Sequence, residues 1–285
     1  MKLISIETGN FMLDGGAMFG VVPKVLWEKA YPANEINLCN LSMRCLLVDT
    51  DNRKILIDAG MGSKQDSRFT GHYYLNGNDT LENSLRNANC SKTDITDVLL
   101  THLHFDHCGG AVEFDEHRTG YRTTFPNATY WISKPQWEWS MNPNRREKPS
   151  FLKENIAPIE ESGQLQLFTE NFNLTPEIGI RLFNGHTVGL AVPLIRYQNR
   201  TYVYTTDLFP TMAHIPSSWV CGFDIQPLIS LRERDYFLSE ALANDYTLFF
   251  EHDLNTQCCQ LTMTEKGIRG ANPLPPGTCF LPQNN

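Results

Sequence analysis

The sequence predicts an α/β protein, and three observations carry that expectation. Short β-prone runs alternate with helical stretches from one end of the chain to the other. No internal repeat or low-complexity linker interrupts them. At 285 residues, with 41% hydrophobic side chains, the chain is large enough to bury a substantial core.

The elements follow in order. Leu46-Leu47-Val48-Asp49 and Lys54-Ile55-Leu56-Ile57 flank the turn-rich Thr50-Asp51-Asn52-Arg53. Two apolar runs around such a turn predict a β-hairpin. Val98-Leu99-Leu100-Thr101 has the length and composition of a buried strand. Asn127 to Ser133, centred on Tyr130-Trp131-Ile132, is β-prone. Gly179 to Phe183, Ala191 to Tyr197 and Thr201 to Thr206 continue the strand pattern, with a hairpin turn at Gln198-Asn199. Leu231 to Asn244 has helical character, and the apolar run Tyr246 to Phe250 follows it.

Pro135 to Glu161 breaks this rhythm with Trp137, Trp139, Pro143, Arg145, Arg146, Pro149 and Pro158. It reads as a Trp/Pro-rich insertion of short helices and loops in a single domain spanning 1–285. Three roles stay open: it covers a site, packs on a partner, or packs on its own domain. Aromatic and Arg side chains favour interfaces, so this segment is the candidate contact of a homodimer. Pro273 to Gly277 reads as a turn-rich tail.

The charge balance, 24 Lys+Arg against 32 Asp+Glu, gives a formal charge of −8. An acidic chain without a basic run is a poor electrostatic trap for nucleic acid or anionic membrane. No stretch approaches the roughly 18 apolar residues of a membrane span. The expected partner is a small-molecule substrate, with no nucleic acid and no membrane. The start, Met1-Lys2-Leu3-Ile4-Ser5-Ile6-Glu7, lacks the apolar region of a secretory signal, and a cytoplasmic location is expected. None of the eight cysteines forms a C-x-x-C pair, so buried free thiols are expected in preference to a disulfide framework.

The decisive segment is Leu99-Leu100-Thr101-His102-Leu103-His104-Phe105-Asp106-His107-Cys108-Gly109-Gly110. It places four potential ligands within six residues, after an apolar strand and before a glycine pair. Imidazole and carboxylate are the ligands that first-row divalent metals take from proteins. A lone His is usually a hydrogen-bonded core residue. Three His and one Asp in this spacing would bury several polar groups, each needing a separate partner. Downstream come Asn184-Gly185-His186-Thr187, then Thr205-Thr206-Asp207 after Tyr202-Val203-Tyr204, then Phe249-Phe250-Glu251-His252-Asp253.

The H-x-H-x-D-H segment resembles the signature of the metallo-β-lactamase superfamily at every position, and the later motifs follow in that family's order. The resemblance covers nearly the whole chain and implies a four-layer αββα sandwich with ligands on loops at one edge of the sheets. It implies two divalent metal ions, with zinc as the default. His102, His104 and His186 would hold one, and Asp106, His107 and His252 the other, with Asp207 bridging both. Asp58, in Ile57-Asp58-Ala59-Gly60, also matches a family motif and is expected to steer a ligand His; the alternative is a turn-capping aspartate.

Within the superfamily, position 104 is His where flavo-di-iron oxygen reductases typically carry Glu, which disfavours an oxidoreductase. Gly15-Gly16-Ala17-Met18-Phe19-Gly20-Val21-Val22-Pro23-Lys24 resembles the N-terminal segment of quorum-quenching N-acyl homoserine lactonases. Asp207-Leu208-Phe209-Pro210-Thr211-Met212-Ala213-His214-Ile215-Pro216 resembles the post-aspartate loop of a lactonase-like group that includes methyl parathion-type hydrolases. Pro210 stands where some lactonases carry a Tyr that aids the substrate carbonyl. The metal or another donor must then polarise that carbonyl; His214 is the catalytic candidate, and a surface loop residue is its alternative. Met18, Phe19, Trp27 and Phe209 either line an acyl pocket or pack the core.

The mechanism this implies is attack by a hydroxide bridging the two metals on a lactone or ester carbonyl. Asp106 is the candidate for passing a proton to the leaving oxygen. The leading expectation is an N-acyl homoserine lactonase-like hydrolase, with an organophosphate or aryl-ester hydrolase of the same fold as the alternative. From other classes come a non-catalytic metal-binding module and a sulfur-handling oxygenase with a single iron.

Overall fold

Residues 1–280 are described by a computed structural model. They divide into two units. The first takes Met1–Asn10, Met43–Glu170 and Gly189–Ala191; the second takes Phe11–Ser42, Asn171–Val188 and, of the described residues, 192–280.

The strands of the first part of the chain are β1 (Lys2–Asp14), β2 (Leu38–Asp49), β3 (Lys54–Ile57), β4 (Asp97–Leu99), β5 (Val112–Phe114), β6 (Tyr121–Thr123), β7 (Thr129–Ser133) and β8 (Leu165–Phe168). They form a six-stranded sheet in the order β1-β2-β3-β4-β7-β8, with β5 and β6 as a separate pair. The unit boundary falls within β1 and β2. The expected hairpin is present: β2 and β3 are antiparallel, with Leu46 opposite Ile57 and Asp49 opposite Lys54. From β3 onward the sheet is parallel, through β4 and β7 to β8. Leu46, Leu47, Val48, Ile55, Leu56 and Ile57 are all fully buried. Both faces of these strands are therefore covered, which is why they read as apolar runs and not as alternation.

The Trp/Pro-rich segment packs on this unit. Its helices Lys134–Met141 and Lys153–Glu161 bury Trp137, Ile156 and Ile159. These side chains join Leu56, Val98, Tyr130 and Ile132 in one core cluster.

The second unit carries β9 (Phe172–Thr175), β10 (Ile178–Phe183), β11 (Leu190–Tyr197), β12 (Arg200–Tyr204), β13 (Thr247–Phe249), β14 (Cys258–Thr264) and β15 (Gly267–Leu274). They form a seven-stranded sheet in the order β15-β14-β13-β12-β11-β10-β9. The β11–β12 turn, Gln198-Asn199, has φ of 50° and 61°. Two left-handed residues in a two-residue loop suit the right-handed twist of the strands. β12 and β13 are parallel, and the helix Pro227–Ala243 makes the crossover between them. Its buried residues Ser230, Arg234, Phe237, Leu238 and Ala241 recur at helical spacing along one face.

Three findings differ from the sequence reading. The β14–β15 hairpin gives no apolar signal, because Thr262, Met263 and Thr264 are exposed at its tip. The expected C-terminal turn begins only after Leu274, where β15 ends. The expectation of free thiols fails at one pair: Cys258 is disulfide-bonded to Cys279, with Cα atoms 5.9 Å apart. The partners are 21 residues apart in sequence, so no local motif reveals them. The other six cysteines form no disulfide among the described residues and are buried. No helix among the described residues is long and apolar enough to cross a membrane.

Candidate functional site

In the first unit the parallel register of β3 and β4 sets Ile57 beside Leu99. The residues that leave these strand ends are thereby neighbours. Asp58 donates its backbone N–H to the Leu99 carbonyl at 3.0 Å. It is fully buried with φ of 58°, a conformation that costs a non-glycine residue energy and marks functional positions. Its carboxylate accepts from the Thr101 N–H at 2.8 Å and the Thr101 hydroxyl at 2.7 Å. It also accepts from Nδ1 of His107 at 3.2 Å. Asp58 is thus the orienting carboxylate expected from the sequence.

These bonds assign the imidazole protons. Thr101 gives its hydroxyl proton to Asp58, so its oxygen accepts from Nδ1 of His102 at 3.1 Å. Nε2 of His102 keeps a lone pair. Nε2 of His104 donates to the Glu147 carboxylate at 2.9 Å, which leaves the lone pair on Nδ1. Those two lone-pair nitrogens lie 3.0 Å apart. Two such lone pairs repel at that distance unless a cation stands beside them. His107, with Nδ1 on Asp58, turns Nε2 toward Asp106, 3.7 Å from its Oδ2. The donor set therefore fits a divalent metal.

The turn that carries these side chains is held from below. Cβ atoms at Gly109 and Gly110 would run into the Met61 and Ala59 carbonyls, so the glycine pair permits close backbone approach. Lys64, almost fully buried, donates its ammonium to the carbonyls of Gly109 and Val112. Burial lowers its pKa to about 8.

The second unit presents His186, Asp207 and His252. His186 leaves β10 on the loop Asn184-Gly185. Glu233 accepts from the N–H groups of both loop residues, at 2.8 and 2.9 Å. A Cβ at Gly185 would meet the Ser230 backbone at 2.5 Å. Nδ1 of His186 donates to Asp224 at 2.9 Å, and Nε2 lies 3.1 Å from Asp207 Oδ2. Nδ1 of His252 donates to the Ser42 carbonyl at 2.8 Å, and Nε2 lies 3.3 Å from Asp207 Oδ1. Asp207 thus offers one oxygen to each imidazole. It follows Thr206, whose φ of 42° is strained for a β-branched residue. Burial alone would lower the His186 pKa, but Asp207 and Asp224 outweigh it and raise it to about 10. The field at Nε2 calls for a cation, proton or metal.

The structure thus gathers His102, His104, Asp106 and His107 at one turn and His186, Asp207 and His252 around another. His214 differs from both roles weighed for it. It is fully buried, so it is no surface loop residue. Its Nε2 donates to the Met18 carbonyl at 3.0 Å, and its Nδ1 lies 2.7 Å from the Thr211 hydroxyl. Its ring stacks on Phe19 with centroids 4.5 Å apart, and burial lowers its pKa to about 4. Both nitrogens are engaged inside the second unit, and neither is left for a substrate carbonyl. Met18, Phe19, Trp27 and Phe209 are likewise buried, and Phe19 stacks on Trp27 at 5.0 Å. They pack the core.

Sequence reasoning missed Glu147, Asp224 and an aromatic wall. Glu147 and Asp224 stand in no motif, and only the fold brings them to His104 and His186. Phe105, between His104 and Asp106, packs against Phe69 at 5.1 Å and Tyr73 at 4.7 Å. Tyr73 is half-buried, and its hydroxyl has no hydrogen-bond partner among the described residues. Burial and then the charge of Asp106 raise its pKa.

The sequence profile of the metallo-beta-lactamase superfamily matches residues 44–254. An N-acyl homoserine lactonase of Bacillus cereus is 23% identical over 274 residues, covering 90% of this chain and 94% of that protein. Among solved structures, a probable metal-dependent hydrolase from Staphylococcus aureus is 32% identical with a TM-score of 0.85, covering 97% of each chain. AidC, a dizinc quorum-quenching lactonase solved with a product, is 22% identical with a TM-score of 0.79, covering 95% of this chain and 94% of that one. The fold class implied by the sequence, the αββα sandwich of that superfamily, is borne out by these likenesses.

Proposed function

The chain belongs to the metallo-beta-lactamase superfamily, and from that premise we propose that it is a metal-dependent hydrolase opening lactones or esters, closest in chemistry to the N-acyl homoserine lactonases. The observation that carries this reading is the convergence of imidazole lone pairs at His102 and His104, 3.0 Å apart. In the proposed assignment His102, His104 and His186 would hold one zinc ion and Asp106, His107 and His252 a second, with Asp207 serving both. Such ions would supply a water whose pKa is lowered to roughly 7 and a Lewis acid for the carbonyl.

The residues of the chain do the rest. Asp58 and Asp224 each accept from Nδ1, of His107 and His186 respectively, and so direct the ring's Nε2 to the metal-facing role. Asp106 carries a proton to the leaving alkoxide oxygen. The acyl or aryl part of the substrate packs on Phe69, Tyr73 and Phe105. His214 positions the Met18–Phe19 segment instead of touching substrate. The proposed partner remains a small molecule, acted on in the cytoplasm by a homodimer.

The test is a substrate panel on zinc-loaded protein: acyl homoserine lactones of several lengths, aryl esters and a phosphotriester, each with and without chelator. Chelator-sensitive lactone opening, far faster than the others, is expected. Preference for the phosphotriester or aryl ester would move the chain to the organophosphate-hydrolase branch. Two bound metals without turnover of any substrate would leave a metal-binding module and end the hydrolase reading.

A further inference from the structure

We propose that Glu147 is a positioning residue of the metal site: its buried carboxylate fixes His104 as a ligand and sets the affinity of one metal selectively. The Trp/Pro-rich segment would then be a working part of that site as well as a packing element. The inference rests on the reading that His104 binds metal.

Glu147 is 3% exposed. A carboxylate so deep costs several kcal/mol unless strong donors satisfy it. Three side chains supply them. Nε2 of His104 donates to Oε1 at 2.9 Å. Nε1 of Trp139 and Nδ2 of Asn144 donate to Oε2, at 2.6 and 3.3 Å. The turn is locked as well, because Oδ1 of Asn144 accepts from the backbone N–H groups of Arg146 and Glu147 at 2.8 and 3.0 Å. Phe151 packs against the His104 ring with centroids 5.0 Å apart. The segment thus holds this imidazole by a hydrogen bond and an aromatic contact together.

A carboxylate on the far nitrogen of a ligand His fixes its tautomer and raises its basicity, and removing such a partner typically weakens metal binding 10–100-fold. Here the effect is selective. Glu147 touches His104, whereas His107 is oriented by Asp58. Loss of Glu147 therefore weakens the metal that His104 holds and spares the one that Asp106 and His107 hold. Trp139 shares the same carboxylate, so its indole reports on His104.

The experiment is a titration of metal-free protein with zinc, followed by bound-metal analysis and by tryptophan fluorescence. It compares wild type with Glu147→Gln and Trp139→Phe. Wild type is expected to bind two equivalents, with a fluorescence change that Trp139→Phe abolishes while still binding metal. Glu147→Gln is expected to bind one equivalent as before and the other about 10–100-fold more weakly, with the melting temperature of the metal-free form nearly unchanged. Two equivalents bound by Glu147→Gln with wild-type affinity would overturn the proposal. So would equal weakening of both metals. Should Glu147→Gln not fold, Glu147→Asp takes its place, since a shorter carboxylate withdrawn from Nε2 of His104 must weaken the same metal and spare the other. A wild type that binds no zinc would instead end the metal-hydrolase reading itself.

Discussion

Asp224 accepts a hydrogen bond from Nδ1 of His186 at 2.9 Å, and that contact decides which nitrogen of the ring faces Asp207. The aspartate sits just ahead of the helix Pro227–Ala243, while the histidine lies after β10. The same stretch clasps the loop through Ile225 N–H to the His186 carbonyl and Gln226 N–H to the Gly185 carbonyl, at 3.1 and 3.0 Å. Asp224→Asn keeps the shape and removes the charge. It is expected to weaken zinc binding about 10–100-fold, with the melting temperature of the metal-free form little changed. Isothermal titration measures it, and an unaltered affinity would show that the backbone clasp alone orients His186.

The candidate ligands were legible in the sequence because a loop that leaves a strand carries them in short motifs. His102, His104, Asp106 and His107 lie within six residues, and His186, Asp207 and His252 each follow a recognisable apolar run. The β2–β3 and β11–β12 hairpins were legible for the same local reason. Glu147 and Asp224 were not, because an isolated carboxylate looks alike on a surface and beside an imidazole. Their role depends on contacts 43 and 38 residues away. The roles weighed for His214 failed for a related reason: nothing local reveals that Thr211 and the Met18 carbonyl take both its nitrogens. The Cys258–Cys279 pair and the β14–β15 hairpin lack local patterning of any kind.

The left-handed backbone of Asp58, with φ of 58°, separates its chemistry from its conformation. Asn tolerates that region and Ala does not, at a difference of about 1–2 kcal/mol. Asp58→Asn is therefore expected to fold but to hold metal about 10–100-fold more weakly. Asp58→Ala is expected to lose the same affinity and about 1–2 kcal/mol more stability than Asp58→Asn. Urea unfolding of both metal-free variants compares them. Equal stabilities would mean that the turn relaxes without penalty.

Tyr73 packs on Phe105 with centroids 4.7 Å apart, and its hydroxyl has no partner among the described residues. If the substrate's apolar part rests on this wall, Tyr73→Ala removes contact area worth about 1–3 kcal/mol. KM for a long-chain lactone should then rise about 10-fold or more, and that for a short-chain lactone much less. Tyr73→Phe keeps the ring and should restore KM. Steady-state kinetics on two chain lengths give the answer, and a loss equal for both lengths would place the wall away from the chain.

Asp97, in β4, is 4% exposed and accepts from Nε of Arg53 at 2.9 Å, the Thr96 hydroxyl at 2.6 Å and Nε1 of Trp131 at 2.9 Å. Burial alone would raise its pKa, but the bonds from Arg53, Thr96 and Trp131 outweigh it and hold the carboxyl below the ordinary value of 3.8. A folded value below the unfolded one means that the folded state binds fewer protons across that window. The stabilisation is then present in full above the unfolded pKa and is lost as pH falls through the depressed folded value. Asp97→Asn should cost about 2 kcal/mol at pH 7. The gap to wild type should narrow progressively below about pH 4. Metal-free protein is the right sample, because acid also strips zinc from its ligands. Denaturant unfolding at pH 7 and at stepwise lower pH provides the comparison. A gap that stays constant into the acid range would mean that the Arg53 pairing contributes nothing beyond neutral hydrogen bonds.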